Sequence, residues 1–264
     1  MGHHGGQSSN ASSPAPPWRR PLSRAVVTVP TIDDELLEAM GERHRPGAAD
    51  RLCKACVELL GIDAVAISLV FDGANVGTLG ASTPRARKYD EEQFTYGEGP
   101  CLDAVARRGP VIVTDLADPG ENRWPAYGPA MLSHQIRGVY AVPIVVAGEY
   151  VGALDLFQAQ PATFTDHQAM GAVAAAELAQ LPLLDLLDGD LDEAAATPGS
   201  FAWTELNALT RAEVSQATGM LMAQLNIEAT AALVRLRAHA YATGRSTTDV
   251  ACDIVARRLR LEPH

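Results

Sequence analysis

The chain has 264 residues, 47% hydrophobic and 20% charged, a composition suited to one or two globular domains with a sizeable core. The formal net charge of -11 argues against nucleic-acid or anionic-membrane binding over the whole surface, while leaving room for one local basic face. Four cysteines are too few for a disulfide framework, and no apolar run approaches the roughly 20 residues needed to cross a bilayer, so the expectation is a reducing, cytoplasmic setting with no membrane partner.

The opening stretch "MGHHGGQSSNASSPAPPWRRP" is rich in Gly, Ser and Pro and lacks the apolar core of a signal peptide, so residues 1–30 are expected to form a disordered tail. His3 and His4 belong to that tail rather than to a metal site. "GAADRLCKACVELLG" puts Leu52, Cys56, Leu59 and Leu60 at helical spacing. "DAVAISLVF" alternates Val65, Ile67, Leu69 and Phe71 as a half-buried strand, and "GANVGTLGAS" follows a turn at Asp72-Gly73, so the two form a hairpin. "GPCLDAVARRG" is a short helix and "PVIVTDL" a strand. After a loop holding Trp124-Pro125, "GVYAVPIVVAGEYVGALDLFQ" is a second hairpin turning at Ala147-Gly148. A long helix from about 165 to 188 closes this part, with Thr165 as its N-cap. Hairpins at both ends with helices between them imply an α+β domain on an antiparallel sheet.

A composition break follows. "LDGDLDEAAATPGS", residues 187–200, is acidic, small and punctuated by Pro198 and Gly199, which is linker chemistry. Residues 1–204 hold 14 Lys/Arg and 26 Asp/Glu, a balance of -12, whereas residues 205–264 hold 7 arginines and 6 acids, a balance of +1. This C-terminal piece reads as three amphipathic helices. The first places Leu206, Leu209, Val214, Ala217, Met220, Leu221 and Leu225 on one side, with Arg211, Ser215, Thr218 and Met222 pointing away. The second starts near Ala229, buries Leu233, Leu236 and Ala240, and stops at Gly244. The third has Ser246 as N-cap with Asp249 three residues on, and buries Val250, Ile254, Val255 and Leu259.

Two resemblances carry these readings further. "YGEGPCLDAVARRGPVIVTDL", "RWPAY" and "VPIVVAGEYVGALDLF" are similar to GAF domains of the variety found in actinobacterial regulators. The resemblance implies a sensory module with a small-molecule or protein input of unspecified identity, and it names no cofactor. "RAEVSQATGMLMAQLNIEATAALVRLRAHAYATGRSTTDVACDIVARRLRL" resembles an ANTAR domain through Gln216-Ala217-x-Gly219, Leu236-Arg237, Val250-Ala251 and Ile254-Val255. That implies an RNA-binding antiterminator recognising paired stem-loops in nascent transcripts. Many ANTAR members carry lysine where this chain has Thr218, which removes one phosphate contact. The expected organisation is therefore a tail at 1–30, a GAF domain at 45–188, a linker at 189–203 and a three-helix ANTAR bundle at 204–262.

Gly219 stands in a helix interior, where glycine costs about 1 kcal/mol relative to alanine. Either a neighbouring helix packs too closely there for a side chain, or the position is left open for a ligand to approach the backbone. The ANTAR resemblance favours the second reading. The expected RNA site is Arg211, Ser215, Thr218 and Gly219 on one wall, with Gln216 at its edge and Arg237 and Arg245 adding charge; arginine stacks on splayed bases and forks to phosphate. Arg257, Arg258 and Arg260 suit a solvated helix end. A dimer would double the weak basic footprint and match a two-loop RNA. The leucines at 178, 181, 183, 184, 186 and 187 would supply an apolar dimer patch. Gating would act by docking, with acidic GAF surface masking the arginines of the bundle.

Other chemistry weighs less. Cys53 and Cys56 form C-x-x-C on an apolar helical stripe, with no second such pair and no histidine at zinc spacing, so both are expected in the core. Cys101 is the one thiol that the motif brings near a pocket, which keeps open a thiol redox enzyme or sensor on a GAF fold. His134 and His167 are expected as isolated surface or capping residues, and Met131 and Met170 as packing residues. A DNA-binding helix-turn-helix would want a basic recognition helix, but "STTDVACDIVA" is neutral to acidic at its start.

Overall fold

A computed structural model describes residues 1–2, 30–41, 47–71, 73–161, 163–188 and 211–262. Residues 3–29 of the expected disordered tail, the linker at 189–203, Asp72, Leu206 and Leu209 lie outside the described residues. The described residues from Thr31 onward belong to one compact unit.

The larger part runs α1 (Ile32–Met40), α2 (Ala48–Leu60), β1 (Ala64–Phe71), β2 (Ala74–Ala81), α3 (Pro84–Tyr96), α4 (Pro100–Arg107), β3 (Val111–Val113), α5 (Tyr127–Ser133), β4 (Gly138–Val146), β5 (Glu149–Gln158), α6 (Asp166–Leu178) and α7 (Gln180–Asp188). The sheet order is β2-β1-β5-β4-β3, with every neighbouring pair antiparallel. Both expected hairpins form. The tip of the second has positive φ at Ala147 (51°) and Gly148 (88°), as a tight primed turn requires.

Period-two alternation sorts the strands onto two faces. Val65, Ile67, Tyr140, Val142, Ile144, Leu154 and Leu156 face α1, α2 and α6 in one apolar core. Ala66, Val139, Ala141, Ala153 and Phe157 face α3, α4 and α5 in a second. Helix α1 was not foreseen; Leu36 and Met40 join the first core upstream of the boundary expected at 45.

The expected single helix over 165–188 is two. Thr165 does cap α6, in a full capping box with Gln168. The ladder breaks at Ala179, just before Pro182, whose ring nitrogen has no hydrogen to give to the carbonyl four residues back. Of the leucines expected as an exposed patch, Leu183 is buried, Leu178 and Leu181 pack against the core, and Leu184 is exposed. The side chains of Leu186 and Leu187 lie outside the described residues.

The C-terminal part is a bundle of α8 (Ala212–Leu225), α9 (Ala229–Thr243) and α10 (Thr247–Val255). Val214, Ala217, Leu221, Leu236, Ala240, Val250 and Ile254 form its core. Met222 packs on that core instead of pointing away, because the apolar stripe of α8 is wide enough to include it. Gly244 ends α9 at φ 62°, and Ser246 Oγ accepts the Asp249 amide at 3.0 Å to start α10. No described helix is long and apolar enough to cross a membrane.

Candidate functional site

The second face of the sheet carries a buried polar cluster. Asp155 of β5 lies in register with Ala66 on one side and Ala141 on the other. These small side chains leave space that α3 fills with Asp90 and Gln93, both fully buried. The inner face of α3 is built at helical spacing from Ala86, Tyr89, Asp90 and Gln93. Asn75 and Thr78 of β2 and Ser68 of β1 complete the cluster.

The hydrogen bonds form one network. Asn75 Nδ2 donates to Asp90 Oδ1 at 2.7 Å, and Thr78 Oγ1 donates to Asp90 Oδ2. Gln93 Nε2 donates to Asp155 Oδ2 at 2.9 Å, while Gln93 Oε1 accepts the Cys101 amide at 2.8 Å. Ser68 Oγ touches both Asp90 Oδ1 and, at 2.6 Å, Asp155 Oδ2. A hydroxyl has a single proton. It can serve only one carboxylate, so the other must be protonated and donate to Ser68. Burial pushes the Asp155 carboxyl up to about 8, with the Asp90 charge adding to the effect, so Asp155 is the protonated partner at neutral pH. Asp155 Oδ1 and the Tyr127 hydroxyl have no partner among the described residues.

The "GEGPC" stretch is explained by these contacts. Gly99 sits at φ 145°, and a Cβ there would lie 2.5 Å from Gln93 Oε1, so only glycine fits. Glu98 Oε1 accepts the amides of Ala126 and Tyr127 at 2.6 and 2.9 Å, tying the loop to the start of α5. An open cleft of about 580 Å3 borders the loop, lined by Glu98, Asp103, Arg107, Arg123 and Trp124 among others. Cys101 does not line it. Its thiol is fully buried beside the carboxylates, and burial holds it well above its usual range, which disfavours a thiolate nucleophile. The Cys101, Asp90 and Asp155 ligand atoms lie within 4.8 Å of one another. That donor set fits a cation poorly, since Asp155 and the thiol would both have to lose protons in a dry site. Cys53 and Cys56 are core residues; burial pushes Cys56 up to about 12 and holds Cys53 well above its usual range.

Helix α3 also carries a second face, turned toward the bundle. Thr95 Oγ1 accepts the Thr247 amide at 3.2 Å and Glu91 Oε1 accepts the Thr248 amide at 3.3 Å, so α3 satisfies two of the first amides of α10. The rings of Tyr96 and Tyr241 meet edge to face at 5.7 Å. Phe94 holds two cations: the Arg211 guanidinium carbon lies 4.0 Å and that of Arg237 4.6 Å from its ring centroid. Arg211 Nη1 donates to Asn75 Oδ1 at 2.9 Å, and its Nη2 lies 3.7 Å from Asp90 Oδ2.

The residues expected to hold RNA are thus divided. Ser215, Gln216 and Gly219 are exposed. A Cβ on Gly219 would meet nothing within 4 Å, so close helix packing does not account for that glycine. Thr218 is half-buried and bonds back to the Val214 carbonyl at 2.7 Å. Arg211, expected on the same open wall, is only 7% exposed and points into the α+β domain. It occupies the N-cap position of α8 in the left-handed region at φ 44°, one residue before the helical periodicity that placed it on the outer side. Arg237 is partly buried on Phe94, and Arg245 pairs with Asp253 at 2.7 Å. His134 is not isolated: its Nε2 lies 2.8 Å from Glu92 Oε1 and its ring beside Tyr89. Met131 is buried as expected, but Met170 is 62% exposed, on the outer side of α6.

Helix α3, which joins the polar cluster to the bundle, was missed. Its signal lay in Thr83 and Pro84, an N-cap followed by proline at the first helical position.

Comparisons with known proteins agree with this architecture. The GAF domain family model matches residues 10–180, and the ANTAR domain family model matches residues 206–255. No curated protein matches the chain. Among solved structures, the GAF domain of an Acinetobacter phosphoenolpyruvate-protein phosphotransferase is 12% identical at a TM-score of 0.45, covering 61% of this chain and 95% of its own. The GAF domain of the cyanobacteriochrome TePixJ is 22% identical at 0.43, covering 56% and 94%. A free methionine-R-sulfoxide reductase from Neisseria meningitidis is 18% identical at 0.39, covering 58% and 86%. Likeness at this level says nothing about ligand or chemistry. The two family matches, on the five-stranded antiparallel sheet and the helical bundle, establish that the chain belongs to the GAF domain family and, with its C-terminal ANTAR domain, is a GAF–ANTAR regulator.

Proposed function

We propose that the protein is a cytoplasmic, signal-responsive transcription antiterminator whose ANTAR bundle binds paired stem-loops in nascent RNA under control of the GAF domain. The observation that carries this reading is the open face of α8 inside the ANTAR match. Ser215, Gln216 and Gly219 are exposed there, and nothing described covers the glycine. Gly219 lets a base or backbone lie against the helix, while Ser215 and Gln216 offer donors and acceptors to base edges. Thr218 borders the same face. Arg211, Arg237 and Arg245 supply charge, the first two only when the bundle lifts from Phe94. A regulatory input shifts that balance by its differential affinity for the docked and undocked states.

The test is a competition between stem-loop RNA and duplex DNA for the full-length protein, repeated with Gly219→Leu. The wild type is expected to prefer the stem-loop. The variant is expected to fold normally by circular dichroism, since leucine raises helix propensity and meets open space, and to lose RNA affinity at least about tenfold. A folded variant with undiminished affinity would remove this face from the site.

We further propose a homodimer, because Met170, Val173 and Leu184 stay exposed on α6 and α7. Sedimentation at micromolar concentration should give twice the mass of 28.0 kDa, and a stable monomer would end that reading.

A further inference from the structure

Arg211 is a poor choice for its local position. The N-cap of a helix favours Ser, Thr, Asp or Asn, whose oxygens accept the orphan amides, but Arg211 makes no side-chain cap bond to α8. It also holds φ 44°, a conformation that disfavours any residue with a Cβ. No contact among the described residues of the bundle explains an arginine there. Among the described residues its partners belong to the GAF domain: the Phe94 ring face, the Asn75 carbonyl oxygen and the Asp90 carboxylate.

Those three groups match the shape of a guanidinium. The plane stacks on an aromatic face, one edge nitrogen donates to a neutral oxygen, and a second nitrogen faces a carboxylate. An ammonium could satisfy the charge but not the stacked plane and both edge contacts at once. The three residues come from different elements, Asn75 from β2 and Asp90 and Phe94 from α3, and Asn75 and Asp90 are themselves braced by the network that reaches Ser68, Asp155 and Gln93. Behind them, Asp155 Oδ1 and the Tyr127 hydroxyl are buried without partners among the described residues, so the cluster has polar capacity that Arg211 does not use.

We propose that Asn75, Asp90 and Phe94 form a guanidinium-binding site in the GAF domain, occupied in the docked protein by Arg211 of the chain's own ANTAR bundle. The class of ligand it takes from solution is a small guanidinium compound, bound only when Arg211 is out. Tethering gives Arg211 a high effective concentration, so a free guanidinium without further contacts does not displace it. A natural ligand would need to reach the unused polar atoms as well. This rests on the antitermination reading only for its consequence, that the bundle is held while Arg211 is in, and its test uses no RNA.

The test is a titration of full-length Arg211→Ala and wild type with methylguanidinium, with methylammonium as a control of equal charge. Docking is followed by amide exchange at Thr247 and Thr248, whose hydrogen bonds cross the interface. The variant is expected to exchange at least about tenfold faster at those two amides. It is expected to bind methylguanidinium saturably at millimolar concentration and to recover protection as it does so. Methylammonium should do neither, and the wild type should respond to neither. No binding by the folded variant, equal responses to the two cations, or a wild type that binds as well as the variant would each overturn the proposal. If circular dichroism shows that the alanine variant does not fold, Arg211→Gln is read by the same criteria.

Discussion

The two faces of the GAF sheet are built from the same strands but to different ends. One face presents Val65, Ile67, Leu154 and Leu156 to α1, α2 and α6 in an apolar core. The other presents Ala66, Ala141 and Ala153, and the volume those small residues give up is taken by Asp155, Ser68, Asp90 and Gln93. The first face is a floor that drives folding through burial. The second spends part of its area on a polar network that reaches the bundle through Asn75 and Arg211. The comparison teaches that one pleat of the strand separates two environments: Leu154 and Asp155, neighbours in sequence, enter an apolar core and a polar network respectively.

The contrast is tested most severely on the apolar face. Leu154→Ala removes a fully buried side chain and should cost about 2–5 kcal/mol, read by urea unfolding. A loss below about 1 kcal/mol would mean that the face collapses around the gap and is no rigid floor.

The polar face should show its character through pH. Burial, with the Asp90 charge adding to it, pushes the Asp155 carboxyl in the fold up to about 8, from an ordinary value of 3.8. The folded state therefore holds a proton that the unfolded chain releases. That contribution is fully present below about pH 4, declines as pH rises, and is gone above about pH 8. The groups that face it are Asp90 from α3, Cys101 from α4 and Tyr127 from α5. Asp155→Asn stays neutral throughout, so it should lie closest to wild type in acid and gain relative to it at pH 9. Parallel stability curves for the two proteins would show that Asp155 is ionised in the fold.

The smallest effect is expected at the rim of the apolar face. Thr165→Ala removes the oxygen that accepts the Gln168 amide at 3.2 Å at the start of α6, and should cost about 1 kcal/mol in the same assay. A loss as large as that of Leu154→Ala would mean that α6 depends on its cap more than on its packing.

Much of this fold was legible in the chain. Alternation along "DAVAISLVF", glycine at hairpin tips and the apolar stripe through Val214, Ala217 and Leu221 are local signals, set by periods of 2 and 3.6 residues and read without knowing what lies opposite. The sheet, both hairpins and the bundle follow from them, whereas at Gly219 they leave two readings and the ANTAR resemblance favours the open one. Helix α3 was not legible in that way. Its buried face includes Asp90 and Gln93, so hydrophobic periodicity passes over it, and only the cap at Thr83-Pro84 marks its start. The break near Pro182 was written in the sequence but was outweighed by a run of leucines. The position of Arg211 was decided by tertiary structure alone. Helical spacing puts residue 211 on the outer side of α8, but spacing describes a helix in isolation. A guanidinium goes where an aromatic face, an amide oxygen and a carboxylate converge, and those come from Phe94, Asn75 and Asp90, more than a hundred positions away along the chain. Pattern reports which side of an element is apolar; only the fold brings distant polar groups together, because their attraction depends on distance in space and not on separation in sequence.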